Sequence, residues 1–311
     1  MNGDRTPAID NRLEVSAGGL RLANPVMPAS GCFGPELADV ARLGPLGAVV
    51  TKTVFRGVRS GNPAHRLAEV ASGMLNSVGI PSLGVHRFRR EILPSYRRLG
   101  APVIVSIGGL SVQDYWDVAE ELADEEFAAF EVNVSCPNLE HNGLEIGSTP
   151  RELERVTRGV RERAGGRPVI VKLTPNVSSI GLIARAAEAA GADLLTVANT
   201  YLGMSVDLPD RRATLGSTTG GLSGPSVKPL VMRLVWQTVR EVGIPVIACG
   251  GACTAEDVAE YLVVGAVAVQ VGTANFTQPT TMSEIVAALP ATLDRLGART
   301  VSDLVGTLVS A

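Results

Sequence analysis

Lysine is almost missing from this chain. Of 28 cationic residues only Lys52, Lys172 and Lys228 are lysines, and the remainder are arginines. Other scarcities exclude whole classes of function. No apolar run reaches the ~18 residues of a membrane span. The opening Met-Asn-Gly-Asp-Arg-Thr-Pro has no apolar signal region, so a cytoplasmic location is expected. A net charge of −3 leaves no basic excess for nucleic acid. The four cysteines (32, 136, 249, 253) and three histidines (65, 86, 141) form no Cys-x-x-Cys pair and no zinc or iron–sulfur spacing, so no metal is expected in the chain. No Gly-x-Gly-x-x-Gly turn follows the first strand-like run, which argues against a doubly wound dinucleotide fold.

What is present is a repeated alternation. The chain has 311 residues, 45% of them hydrophobic, enough for a large core. Residues 1–12 read as a loose start, and Leu13–Leu22 alternates around Gly18-Gly19 as a hairpin. Eight apolar runs follow: Pro25–Ala29, Ala48–Val50, Val103–Val105, Phe130–Val134, Val169–Val171, Leu194–Ala198, Val246–Cys249 and Val267–Val271. Nearly continuous apolar character suits parallel strands buried on both faces. Helical patterns lie between them, with start signals at Ser111–Asp114, Thr149–Glu152 (read as a capping box) and Thr254–Asp257, and stops at Gly191 and Gly265. Eight strand–helix units predict an α/β protein, a (β/α)8 TIM barrel with an N-terminal β-hairpin, in which residues 13–311 form a single domain. Two long connections, Thr53–Val85 and Tyr201–Gly224, follow strands and so belong to the face where barrel sites lie. The arginines at 87, 89, 90, 97 and 98 read as a solvated helix face.

The strand ends carry the candidate site. Ser30, Lys52, Ser106, Asn133, Lys172 and Asn199-Thr200 follow the first six runs; Gly250-Gly251 and Gly272-Thr273 follow the last two. Two of the three lysines fall at strand ends, where an unpaired buried charge is expensive without an anionic or electron-rich ligand. Glycines after the seventh and eighth strands let backbone N–H groups approach a phosphate. Gly221-Leu-Ser-Gly224, just before a helix, can join that phosphate site, whereas Lys228 reads as a plain helix residue.

Asn76, Asn133, Asn138 and Asn199 all fall on the same face, and a carboxamide offers both donors and an acceptor, matching the amide edges of a pyrimidine ring. Cys136 stands where an apolar run breaks at Pro137 into a polar loop, between Asn133 and Asn138. A thiol with a reference pKa of ~8.5 needs only modest tuning to act as a base near neutrality. A base role fits better than a nucleophile role, which wants an activating histidine. Cys32, Cys249 and Cys253 read as buried hydrophobes.

These residues sit in an ordered set of motifs: Ala-Ser-Gly at 29–31, Thr-Lys-Thr at 51–53, Gly-Asn-Pro at 61–63, Met-Leu-Asn-Ser-Val-Gly at 74–79, Asn-Val-Ser-Cys-Pro-Asn at 133–138, Val-Lys-Leu-Thr-Pro-Asn at 171–176, Gly-Gly-Leu-Ser-Gly-Pro at 220–225, Gly-Gly at 250–251 and Val-Gly-Thr-Ala at 271–274. The set resembles the class 1 dihydroorotate dehydrogenases, most closely the class 1B catalytic subunit, over about residues 13–305. The resemblance implies FMN, oxidation of (S)-dihydroorotate to orotate in pyrimidine biosynthesis, and Cys136 as the base that takes the C5 proton while hydride leaves C6. It implies substrate contacts from Lys52, Asn76, Ser77, Val78, Gly79, Ile80, Asn133, Asn138, Asn199 and Thr200. It implies FMN contacts from Ser30, Lys52, Thr53, Ser106, Asn133, Lys172, Ala198, Gly224, Gly250, Gly251, Gly272 and Thr273, with Lys172 stabilising negative charge on the ring by about 3 kcal/mol. One position departs: class 1B members usually carry Asn where Ser106 lies, and class 1A members Ser. If NAD is the acceptor, a partner subunit with FAD and a 2Fe–2S cluster is implied; if fumarate, none is needed. The NAD arrangement, around a homodimer core, is the expectation. The rival readings are a uracil or thymine reductase like the flavin domain of dihydropyrimidine dehydrogenases, a non-catalytic flavin-binding subunit, and a sugar-phosphate isomerase.

Overall fold

The computed structural model describes residues 10–41, 44, 46–135 and 146–309. Its centre is eight short parallel strands: β1 (Val26–Pro28), β2 (Val49–Val50), β3 (Val103–Ile107), β4 (Ala129–Asn133), β5 (Val169–Lys172), β6 (Leu194–Val197), β7 (Val246–Cys249) and β8 (Ala268–Val271). Each lies beside its sequence neighbour in the order 1-8-7-6-5-4-3-2. Between β1 and β2 the Gly47 N–H donates to the Val26 carbonyl at 2.9 Å. This is the expected (β/α)8 barrel. Every strand residue is buried, which is why the strands read as unbroken apolar runs rather than alternating ones.

The outer layer is helical: α1 (Val112–Glu121), α2 (Pro150–Arg163), α3 (Ile180–Ala189), α4 (Lys228–Val239), α5 (Ala255–Val264) and α6 (Thr281–Leu296). Ser111 and Thr254 cap α1 and α5 in reciprocal boxes with Asp114 and Asp257. Gly265 ends α5 in the left-handed region, at φ 119°. The box expected at Thr149 does not form. Thr149 precedes Pro150 as the N-cap but makes no side-chain capping bond, and Glu152 pairs with Arg155 at 3.2 Å instead. The helix face carrying Arg87, Arg89, Arg90 and Arg97 is laced by ion pairs to Glu91 and Glu125. Among the described residues no helix is long and apolar enough to cross a membrane.

The N-terminal hairpin forms, Val15–Ala17 against Leu20–Leu22. Its turn presses on the barrel end away from the site: a Cβ on Gly18 would stand 2.2 Å from Leu194 Cδ1, at the start of β6. Residues 10–12, expected to be loose, are ordered. Asn11–Leu13 is a 3-10 turn capped by Asp10, and Arg12 pairs with Asp10 and Asp294.

The two long connections are not plain loops. Leu67–Val70 and Gly73–Asn76 from the first combine with Tyr201–Gly203 and Gly220–Ser223 from the second in one four-stranded antiparallel sheet. Gly221 is paired with Asn76 and Leu222 with Leu75. The central pairing joins strands from different connections, so neither stretch shows it alone.

Candidate active site

A cavity of about 290 Å³ opens where the C-terminal ends of the strands meet the added sheet. Strand ends supply Ser30, Lys52, Thr53, Asn133 and Lys172 to its lining. Ala198, Asn199 and Thr200 follow β6, Gly250 and Gly251 follow β7, and Gly272 and Thr273 follow β8. The added sheet and its flanks contribute Asn76, Val78, Gly79, Ile80 and Gly224. Of the anticipated residues, Ser77 and Ser106 do not line the cavity. Ser77 accepts from Asn62 Nδ2 at 2.7 Å, and Ser106 lies fully buried behind Thr53, Oγ to Oγ 2.9 Å. Cys136, Asn138 and His141 lie outside the described residues. Two cysteines read as plain hydrophobes, Cys32 and Cys249, stand in the cavity wall.

The asparagines form a linked set. Asn199 Nδ2 donates to Asn133 Oδ1 at 3.0 Å, and Asn133 Nδ2 donates to Thr53 Oγ1 at 3.2 Å. Asn76 Nδ2 donates to the Gly221 carbonyl at 3.2 Å, tying the added sheet together. The next segment is held in an unusual backbone: Gly79 has φ 72°, and the β-branched Ile80 has φ 45°. Such a residue costs on the order of 1–3 kcal/mol and persists only when its surroundings hold it. Arg59 does so, donating to the carbonyls of Gly79 (3.3 Å) and Ile80 (3.4 Å) while stacking on Phe55.

Charge in the described wall has one sign, since Lys52 and Lys172 line the cavity and no Asp or Glu does. Burial pulls Lys52 below the usual lysine value, with Glu36 opposing and Arg66 adding to the fall. Its Nζ has no ion pair or hydrogen bond among the described residues. Lys172 is 3% exposed. Burial alone would lower it, but the Cys249 sulfur and the Glu131 carboxylate hold it above the usual value. Beneath it lies a polar cluster that sequence reasoning missed. Lys172 Nζ donates to Gln270 Oε1 at 2.8 Å, and Gln270 Nε2 donates to Glu131 Oε2 at 2.5 Å. The one signal was a carboxylate and a carboxamide inside apolar strand runs.

The glycine end suits a phosphate. Gly250 and Gly251 have φ 149° and 76°, and a Cβ on Gly251 would stand 2.7 Å from Lys228 Cβ. Thr273 Oγ1 lies 2.8 Å from Ser223 Oγ, placing two hydroxyls beside the glycines. Lys228, read as a plain helix residue, is committed elsewhere, to Asp257 and Glu260. A bare-backbone cradle, a buried ammonium and linked carboxamides around one cavity form a donor set that fits an anionic, ring-bearing cofactor such as FMN.

Residues 12–293 match the family described as dihydroorotate dehydrogenase. The chain belongs to the dihydroorotate dehydrogenase family. Its enzymes are flavin-dependent. The chain is 43% identical over 299 residues to the dihydroorotate dehydrogenase B (NAD(+)) catalytic subunit of Maridesulfovibrio salexigens, covering 95% of this chain and 98% of that one. It is 44% identical over 299 residues to the subunit of the same name from Geobacillus kaustophilus, with 95% of each chain covered. The Listeria monocytogenes subunit of that name is 43% identical over 297 residues, 94% of this chain and 97% of that one. Membership of this family sets aside the sugar-phosphate isomerase reading.

Proposed function

We propose that this chain is a dihydroorotate dehydrogenase that oxidises (S)-dihydroorotate to orotate in pyrimidine biosynthesis, using FMN. The observation that carries the reading is the cavity itself: two lysines with no carboxylate in the described wall, linked asparagines, and a glycine cradle at the end of β7. Gly224, Gly250, Gly251, Gly272 and Thr273 would hold its phosphate, and Ser30, Thr53, Ala198 and Lys172 would hold its ring. FMN, when bound, supplies the acceptor for two electrons.

The chain's own groups do the rest. Asn76, Asn133, Asn138, Asn199 and Thr200 present donors and acceptors to the amide edges of the dihydropyrimidine. Val78, Gly79 and Ile80 form the wall beside it. Lys52, unpartnered among the described residues, meets the substrate carboxylate. Cys136, as thiolate, takes the proton from C5 onto its sulfur. A partner subunit carrying FAD and a 2Fe–2S cluster relays electrons to NAD around a cytoplasmic homodimer core, residues 13–311 being one FMN-binding domain.

The test is optical. The purified protein is expected to be yellow and to bleach anaerobically with dihydroorotate. If it does not bleach, and uracil or thymine instead re-oxidises the chemically reduced protein, the chain is a pyrimidine reductase.

A further inference from the structure

We infer that Glu131 is a positioning residue for this reaction, holding the Lys172 ammonium charged and oriented through Gln270. The inference rests on the reading of Lys172 as a flavin contact. Glu131 on β4 is 0% exposed, yet it is a carboxyl group in the barrel interior. Glu131, Thr196 and Gln270 come from β4, β6 and β8, alternate strands, as one layer of a barrel interior requires. Lys172 on β5 reaches this layer from beside Asn133, its register partner on β4.

The direction of the hydrogen bonds decides the electrostatics. An ammonium only donates, and it donates to the oxygen end of Gln270 at 2.8 Å. That leaves the amide end of Gln270 facing Glu131 Oε2 at 2.5 Å, where Thr196 Oγ1 also donates at 3.3 Å. The carboxamide is therefore an oriented dipole between a cation and an acceptor. Three titratable groups face Lys172: the Cys249 thiol on β7, the Cys32 thiol after β1, and Glu131. The sulfurs raise Lys172 only as thiolates, and burial pushes the Cys249 thiol up and the Cys32 thiol up to about 12, so their effect belongs to the alkaline side and neither balances the cation near neutrality. Among the described groups that balance falls to Glu131. Its second oxygen, Oε1, is buried with no partner. A carboxylate so incompletely paired is poor value as a fold-stabilising group, and its interaction with the cation accounts for its place.

Without that charge, burial pushes Lys172 towards its neutral form. The sign follows: with the Lys172 pKa lowered, its charge is lost as pH rises through the new value, whereas the unaltered protein keeps it. The experiment measures the midpoint potential of protein-bound FMN from pH 6 to pH 9 in the unaltered protein, E131Q, the exchanged pair E131Q/Q270E, and K172M. E131Q is expected to lie at or above the unaltered protein at pH 6 and to fall below it by pH 9. The exchanged pair, with a carboxylate directly on Lys172, is expected to restore the original pH profile, which packing alone would not do. An E131Q profile parallel to the original, or an exchanged pair that restores nothing, overturns the inference. If E131Q cannot hold flavin, the exchanged pair decides: a flavin-loaded protein with the original profile supports the inference, and loss of flavin in both overturns it. K172M matching the unaltered protein at every pH instead overturns the reading of Lys172 as a flavin contact.

Discussion

Asn199 and Asn133 are joined side chain to side chain, Nδ2 to Oδ1 at 3.0 Å, across the mouth of the barrel. Asn199 Oδ1 accepts from the Thr200 N–H at 2.8 Å, and Asn133 Oδ1 also accepts from the Ser135 N–H at 3.3 Å. Each carboxamide therefore has its orientation set by the protein. Asn199→Ala removes one of the two donors to the buried Asn133 Oδ1, together with the carboxamide that Asn199 itself presents to the cavity. Losing such a bond costs about 1–3 kcal/mol, so kcat/KM for dihydroorotate is expected to fall about 10- to 100-fold. FMN content, measured by absorbance, should be retained.

Cys136→Ala is expected to keep its flavin and to slow flavin reduction by dihydroorotate by about 10²- to 10⁴-fold at neutral pH, the usual worth of a positioned base. Cys136→Ser should recover rate only as pH rises, because a hydroxyl is a far weaker acid than a thiol with a pKa of ~8.5. Anaerobic stopped-flow traces across pH check both, and an unchanged rate in the alanine variant removes the assignment.

The glycines at the phosphate end should not behave alike. A Cβ on Gly251 meets Lys228 at 2.7 Å from a left-handed backbone, whereas a Cβ on Gly272 finds only ordinary contacts, 3.6 Å from Ala29 Cβ and Cys32 Sγ. Gly251→Ala is expected to cost at least about 1–2 kcal/mol of stability from backbone conformation alone. Gly272→Ala should leave the melting temperature of the flavin-free protein nearly unchanged while weakening FMN. Titration with FMN and with riboflavin separates the effects, since a loss at the phosphate should be larger for FMN.

Lys52 carries a pH prediction. Its pKa is lowered, chiefly by burial, so its charge is lost at a lower pH than that of an ordinary lysine. KM for dihydroorotate is expected to rise on the alkaline side as the ammonium deprotonates. Lys52→Met should raise KM about 10- to 100-fold at pH 7, the worth of a charge-assisted hydrogen bond, and abolish that alkaline rise. A KM that is unchanged in the variant would separate Lys52 from the substrate carboxylate.

The barrel strands were readable because strands buried on both faces leave nothing polar to interrupt the pattern, and each observed strand falls within about two residues of its run. The caps at Ser111 and Thr254 were readable because their partners lie three residues away. Thr149 had the same spacing and made no such bond, and the Glu152 carboxylate pairs with Arg155. The role of Arg59, which supports the Gly79–Ile80 backbone from some twenty residues upstream, left no trace in any local pattern.

By itself the sequence determined the architecture and the face on which the site lies, because strand period, breakers and caps act within a few residues of chain. It also determined which chemical groups stand at the strand ends. Only the tertiary structure decided how those groups are held. Asn76 meets Gly221 across 145 positions, and Gln270 meets Glu131 across 139. The first depends on the sheet assembled from two separate connections, and the second on barrel closure, which brings alternate strands to face one another across the interior; neither leaves a periodic mark along the chain.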